Sequence, residues 1–168
     1  MLWLLESTRL KRYLGDIMDN DLRELYQDLI LDHGKSPRNF RAIDNPTNNA
    51  LGHNPLCGDK IDLFLSIDKN NVIQDISFQG TGCAISMAST SMMTEMLKGK
   101  TVDEAMKLFH VIHEVFTGSE TIDNIKNCSV SEDDMDRITA LSGVKEFPIR
   151  VKCATLAWHT LDSALKKM

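Results

Sequence analysis

Three cysteines occur where the sequence pattern changes, and their thiols could bind a metal ion or react with sulfur. Cys57 precedes the first clearly predicted strand, Cys83 separates a strand from a helix, and Cys153 is placed in the first turn of the last predicted helix. The partial positive charge of a helix N-terminus favours a thiolate, the form of cysteine that attacks sulfur and ligates metals. Cys128 lies in an acidic stretch without such a setting, and we interpret it as an unpaired loop thiol.

A carboxylate belongs to the same group. Asp59 follows Cys57 by two positions, and residues two apart in an extended segment point the same way, so both can address one ion. Three thiolates and one carboxylate suit tetrahedral zinc or an iron–sulfur cluster, and a single oxygen ligand is easily displaced. This predicts a working site rather than a structural one. Spacing alone leaves a second interpretation open, because no C-x-x-C pair is present and free cysteines often fill buried corners.

Hydrophobic periodicity predicts the elements that must position these residues. Helical spacing predicts a helix from Asp19 or Asn20 to Gly34, then a loop with one short strand near residues 50–53. Apolar and polar residues alternate over residues 60–68, and a second apolar run ends at Gly80. The turn residues between these two runs predict an antiparallel hairpin.

The second half of the chain is predicted to be helical. One helix follows Cys83, a second begins at the Thr101/Glu104 capping box, and a third begins near Pro148. The polar, acidic residues 118–136 are predicted to form a loop. The fold class is therefore α+β, with helices packed on one face of a small antiparallel sheet.

Composition limits the classes of function. The 168 residues carry 19 Lys and Arg against 24 Asp and Glu, a formal net charge of −5, and suit one ordinary globular domain. No basic excess suggests nucleic-acid binding, and no apolar run approaches the ~20 residues needed to cross a bilayer. We therefore expect that this protein neither binds nucleic acid nor resides in a membrane.

The N-terminal residues differ in pattern from the rest of the chain. Residues 1–17 are interpreted as an extension, or as the product of an upstream start, and residues 18–168 as the domain. The order of apolar and basic residues near the N-terminus does not match an export signal. The protein is therefore expected in the reducing cytoplasm, where cysteines more often bind metals or do thiol chemistry than form disulfides.

The cysteine motifs resemble those of a known family. Three segments are similar to the cysteine motifs of the IscU/NifU N-terminal family, which builds iron–sulfur clusters: Asn54–Asp59, Gly80–Ser86 and Val151–Trp158. Leu25-Tyr26, Asp32-His33 and Pro37-Arg38-Asn39 resemble the first helix and the loop of that family. The likeness runs from about Met18 to Leu165, and three motifs in the same order are more specific than one.

Within this family the SufU branch is the better match. That branch has a longer segment between its second and third cysteines, as between Cys83 and Cys153, and a Lys where the IscU branch has a His, here Lys152. An ammonium group offers a metal no lone pair, which leaves Asp59 as the fourth ligand. The chaperone-binding motif of the IscU branch is replaced here by Glu146–Arg150, which argues against a dedicated Hsp70 partner.

The resemblance implies a small antiparallel sheet covered by helices, a zinc site and a partner. Zinc would be bound by Cys57, Asp59, Cys83 and Cys153, and Cys153 would accept persulfide sulfur from a pyridoxal-phosphate cysteine desulfurase of the SufS type. Two cations beside Cys153, Arg150 and Lys152, could stabilise a thiolate or persulfide anion; they could equally be solvated surface charges.

Three alternatives to sulfur transfer remain at this level. The same four ligands could hold a transient [2Fe-2S] cluster and pass it to apo-proteins or cluster carriers. The chain could instead be a zinc-stabilised interaction domain. A cysteine hydrolase is a poorer match, because no local signature places a base such as His33, His53, His110 or His113 beside Cys57 or Cys83.

Overall fold

The computed structural model describes residues 23–118 and 130–167. The predicted extension 1–17, the helix start at Asp19 or Asn20, and Cys128 therefore lie outside the described residues. The division into an extension and a domain stays a prediction. Within the described part, five helices and three strands cover most of the chain, together with one short 3-10 helix.

The sheet is a three-stranded antiparallel meander in the order β1-β2-β3, formed by Asn48–Asn54, Asp59–Ile67 and Ile73–Thr81. Inward residues of β2 alternate with less buried ones, as its period-two pattern predicts. Ile61, Leu63 and Leu65 point into the core. The register pairs Asn54 with Asp59, and Lys60 with Thr81, so the two segments that carry the first two cysteine motifs meet at one end of the sheet.

Helices supply the rest of the core. The first, α1, is described over residues 23–35, and it is followed after the sheet by α2 (Ala84–Leu97), α3 (Val102–Thr117), α4 (Glu132–Ser142) and α5 (Pro148–Leu165). The helix α5 packs on β1, β2, α2 and α3 and buries Trp158. At the start of α3, the Thr101 hydroxyl accepts from the Glu104 amide and the Glu104 carboxylate accepts from the Thr101 amide, which confirms the predicted capping box.

The loop prediction for residues 118–136 is wrong at its C-terminal end, where α4 begins at Glu132. The Ser131 hydroxyl caps this helix by accepting from the Asp134 amide at 3.1 Å. Three acidic residues then occupy its first turn, where negative charge stabilises a helix N-terminus. The acidic run that suggested a loop is therefore part of a helix start.

The α+β prediction is confirmed, with helices arranged around one antiparallel sheet. No helix among the described residues is long and apolar enough to cross a membrane.

Candidate metal centre

The tight turn between β1 and β2 presents Cys57 at the surface. The Gly58 amide donates to the Asn54 carbonyl at 2.8 Å and so closes the turn. Gly58 has φ +70°, a left-handed conformation that costs glycine little but strains most other residues. The next residue, Asp59, begins β2 and is completely buried.

The loop from β3 to α2 closes over this buried carboxylate. The Cys83 amide donates to Asp59 Oδ1 at 2.9 Å, and Cys83 Sγ lies 3.9 Å from Asp59 Oδ2. Cys83 is also the N-cap of α2, with its sulfur accepting from the Ser86 amide at 3.5 Å. A Cβ at Gly82 would come within 2.7 Å of Asp59 Oδ1, so this approach requires glycine. Residue 82 thus determines how close the carboxylate lies to the Cys83 loop.

Cys153 reaches the same point from α5. Its Sγ lies 3.3 Å from Cys57 Sγ and 3.7 Å from the Ile149 carbonyl one turn earlier. Because α5 begins at Pro148, Cys153 lies in the second turn of the helix and is only 3% exposed. The prediction of a first-turn cysteine favoured as thiolate is therefore wrong. Burial raises the pKa of the Cys153 thiol, and the neighbouring Cys57 thiol raises it further.

These side chains form a compact set of metal donors. The ligand atoms of Cys57, Asp59 and Cys153 all lie within 4.8 Å of one another, and Cys83 borders the group beside Asp59. Sulfurs bound to one tetrahedral zinc at about 2.3 Å lie about 3.8 Å apart. The Cys57–Cys153 sulfur separation of 3.3 Å is close to that value, and the 3.9 Å between Cys83 Sγ and Asp59 Oδ2 compares with about 3.6 Å for a sulfur and an oxygen on one zinc ion. Cys57, Asp59 and Cys153 therefore fit one Zn²⁺ ion without a large rearrangement, whereas Cys83 Sγ, which lies beside Asp59, must move towards the other sulfurs to act as the fourth ligand.

The three thiols open into a shallow groove of about 560 Å³. One wall is apolar and comes from α1, and Ile149 and Arg150 of α5 line another part. Two large apolar side chains that line the groove, Leu31 and Ile149, are exposed. A sulfur or metal centre in this groove is thus accessible to another protein.

Residues 25–154 match the model of the NifU-like N-terminal domain family. The chain belongs to this family. It is 40% identical over 147 residues to the zinc-dependent sulfurtransferase SufU of Bacillus subtilis, covering 88% of this chain and 93% of that protein. It is 38% identical over 146 residues to the iron–sulfur cluster assembly scaffold protein IscU of Streptococcus pyogenes, covering 87% and 86%.

The fold of the family is also seen in solved structures. A crystal structure from Fervidobacterium islandicum, described as an iron–sulfur cluster assembly scaffold protein for the SUF system, aligns with a TM-score of 0.71 and 35% identity. The alignment covers 82% of this chain and 93% of that one. The resemblance drawn from the cysteine motifs is therefore confirmed for both family and fold.

The two cations named beside Cys153 lie in different places in this family member. Arg150 lines the cysteine groove, and its guanidinium carbon lies 5.0 Å from the centre of the Phe147 ring. Lys152 is exposed and lines a separate groove with His159. Of these two cations, Arg150 is the one that lines the same groove as the three thiols.

The histidines give the hydrolase alternative no support. His33 is buried, and its Nδ1 lies 2.8 Å from the Ser91 hydroxyl. Burial lowers the pKa of His33, and the Arg38 charge lowers it further. In the part of the chain that the structure describes, no histidine lines the groove that holds the three thiols.

Sequence reasoning missed two features of the site. The motif pattern does not indicate that the missing side chain of Gly82 is what gives the Asp59 carboxylate room. The apolar wall from α1 was also missed, although Leu31 is exposed and an apolar residue off the core face of a helix is a usable signal.

Proposed function

We propose that this chain is an iron–sulfur cluster assembly protein that accepts persulfide sulfur from a cysteine desulfurase. The observation that carries the proposal is the meeting of three thiols and one buried carboxylate at an open groove. A zinc-dependent sulfurtransferase among its relatives supports the same chemistry. Reduced thiols are required, which agrees with the cytoplasmic location expected from the sequence.

Cys57, Asp59, Cys83 and Cys153 would hold the zinc ion. Bound zinc supplies one property, thiolates that persist at neutral pH in spite of burial. The residues around it orient the thiols: the turn at Gly58 presents Cys57, and the Cys83 amide holds the Asp59 carboxylate. Arg150 would offset negative charge at the groove.

In the proposed transfer, the Cys153 thiolate attacks the terminal sulfur of the desulfurase persulfide. A new S–S bond forms at Cys153, the S–S bond of the donor breaks, and the desulfurase cysteine leaves as a thiolate. The exchange consumes no external oxidant or reductant. Cys153 is the proposed acceptor because the resemblance to the SufU branch gives it that role, and its sulfur lines the groove beside Cys57.

Alanine release from cysteine by a SufS-type desulfurase tests this proposal. Zinc-loaded protein should accelerate alanine release, and Cys153→Ala should abolish the acceleration. Cys128→Ala is the matched control and should behave as the wild type. Equal acceleration by Cys153→Ala and the wild type would contradict the assignment of the acceptor.

A second candidate function is a scaffold for a transient [2Fe-2S] cluster passed to apo-proteins or cluster carriers. The buried Asp59 carboxylate favours it, because an oxygen ligand in a sulfur-rich site is weakly held by iron and makes a cluster labile. After reconstitution with iron and sulfide, Asp59→Ala should retain its visible absorption longer than the wild type. Faster loss of absorption from the variant would count against this function.

A further inference from the structure

Two imidazoles meet on the side of α5 away from the cysteine groove. The rings of His113 on α3 and His159 on α5 have their centres 5.2 Å apart, with their planes at 78°. Phe109, a buried residue, contacts both rings at 6.0 and 5.6 Å between centres. The packing of α3 on α5 thus holds the two histidines together over an apolar base.

Their separation suits a shared metal ion. Zinc binds imidazole nitrogen at about 2.0–2.1 Å, and the ring centre lies about 1.2 Å behind that nitrogen. Two imidazoles on one tetrahedral ion therefore have ring centres about 5.2 Å apart. The observed distance is 5.2 Å. The ring torsion of histidine has a broad energy well. Both rings can therefore rotate at a small energetic cost until one nitrogen of each points towards the same ion.

The surroundings of His159 favour its neutral, metal-binding form. Burial lowers the pKa of His159, and the nearby His113 lowers it further, so the imidazole is neutral at neutral pH. Asp162, one turn along α5, supplies a negative charge near His159, and Lys166, which donates to Asp162 at 2.7 Å, supplies a positive one. These two charges oppose each other, so the imidazoles, and not a net negative charge, would hold a bound cation.

We propose that His113 and His159 form a second site, for a divalent transition metal ion such as Zn²⁺, with water in the remaining positions. Imidazole ligands suit zinc, and the absence of thiolates from this pair makes the site weaker than the cysteine centre. The two sites are separate. His159 follows Cys153 by six residues on α5, about 9 Å along the helix axis, and lines a groove with Lys152 and Thr155 rather than with the thiols.

The full chain, first loaded with one equivalent of zinc, is titrated with further Zn²⁺ while histidine ring nitrogens are followed by long-range ¹H–¹⁵N NMR. One more equivalent should shift the rings of His113 and His159 together and leave His33 and His53 unchanged. Changes to residues outside a metal's direct ligands cost about tenfold or more in affinity. His113→Gln and His159→Gln should therefore each lower the affinity for the second zinc ion by at least about tenfold.

His110→Gln is the matched control, because His110 is an exposed residue one turn before His113 on the same helix. It should bind the second equivalent as the wild type does. Zinc content after the first loading and the circular dichroism spectrum show that each variant is folded. Failure to bind a second equivalent, or unchanged binding by His113→Gln and His159→Gln, would overturn the proposal.

Discussion

The cysteine centre differs from the junction of α1, α2 and α4 in whether its polar atoms are paired with other protein groups. At the junction, Ser91 contacts His33 and accepts from the Arg38 amide, and Glu95 accepts from Arg137 at 2.9 Å. At the centre, the thiols of Cys57 and Cys153 lie against each other and open into a groove. The difference separates two tasks. The junction satisfies its polar groups to join helices, whereas the centre leaves sulfur atoms available for a ligand.

The largest expected effect comes from Gly82→Ala. The added Cβ would displace the Asp59 carboxylate from the Cys83 amide, so zinc affinity should fall by about tenfold to a hundredfold. Competition with a chromophoric chelator measures this affinity. Gly143→Ala is the control, because open space surrounds that position and its φ is −59°. Equal zinc affinity in Gly82→Ala and the wild type would show that the carboxylate position does not matter for the metal.

His33→Ala should have its main effect on stability, because it removes a buried hydrogen bond and leaves a gap between α1 and α2. We expect a loss of about 2 kcal/mol in the free energy of unfolding. Urea denaturation of the zinc-loaded protein measures it, with the exposed His110→Ala as control. Zinc affinity should stay at the wild-type value. A variant that lost zinc affinity but kept its stability would reverse the roles assigned to the two regions.

The junction should also be sensitive to acid. Burial lowers the pKa of His33 in the folded state below the ordinary value of 6.5, so the unfolded chain binds a proton first as pH falls. The contribution of neutral His33 to the free energy of unfolding is complete above about pH 6.5 and is lost as pH falls through the folded-state pKa of this residue. Unfolding free energies of zinc-loaded wild type and His33→Gln, compared at pH 8 and pH 5.5, test this. The difference in unfolding free energy between the two proteins should change with pH. A difference that is the same at both pH values would contradict the assigned role of His33.

The smallest expected effect distinguishes the two cations near Cys153. Arg150→Gln should slow desulfurase-stimulated alanine release by about twofold to fivefold, as loss of an exposed charge contact would. Lys152→Gln should leave the rate unchanged, because Lys152 lines a different groove. The opposite ranking would move the anion-facing role to Lys152.

Much of the fold could be predicted because it depends on local patterns. Alternation in β2 and the capping box of α3 are short-range signals, and both are borne out. The loop prediction failed from Glu132 onwards, because acidic residues suit both a loop and a first helical turn. Packing of α4 against α2 and α3 favours the helix, and that packing cannot be read from the local sequence.

The sequence by itself determined the family and the order of the elements, since motifs and periodicity are properties of neighbouring residues. Only the tertiary structure decided which side chains meet. Cys57 and Cys153 are distant in the chain, yet helix–sheet packing brings their sulfurs to 3.3 Å. The same packing buries Cys153 and raises the pKa of its thiol, whereas its position near a helix start had suggested a favoured thiolate. The packing also brings His113 next to His159, because burial of the apolar faces of α3 and α5 places the two rings side by side.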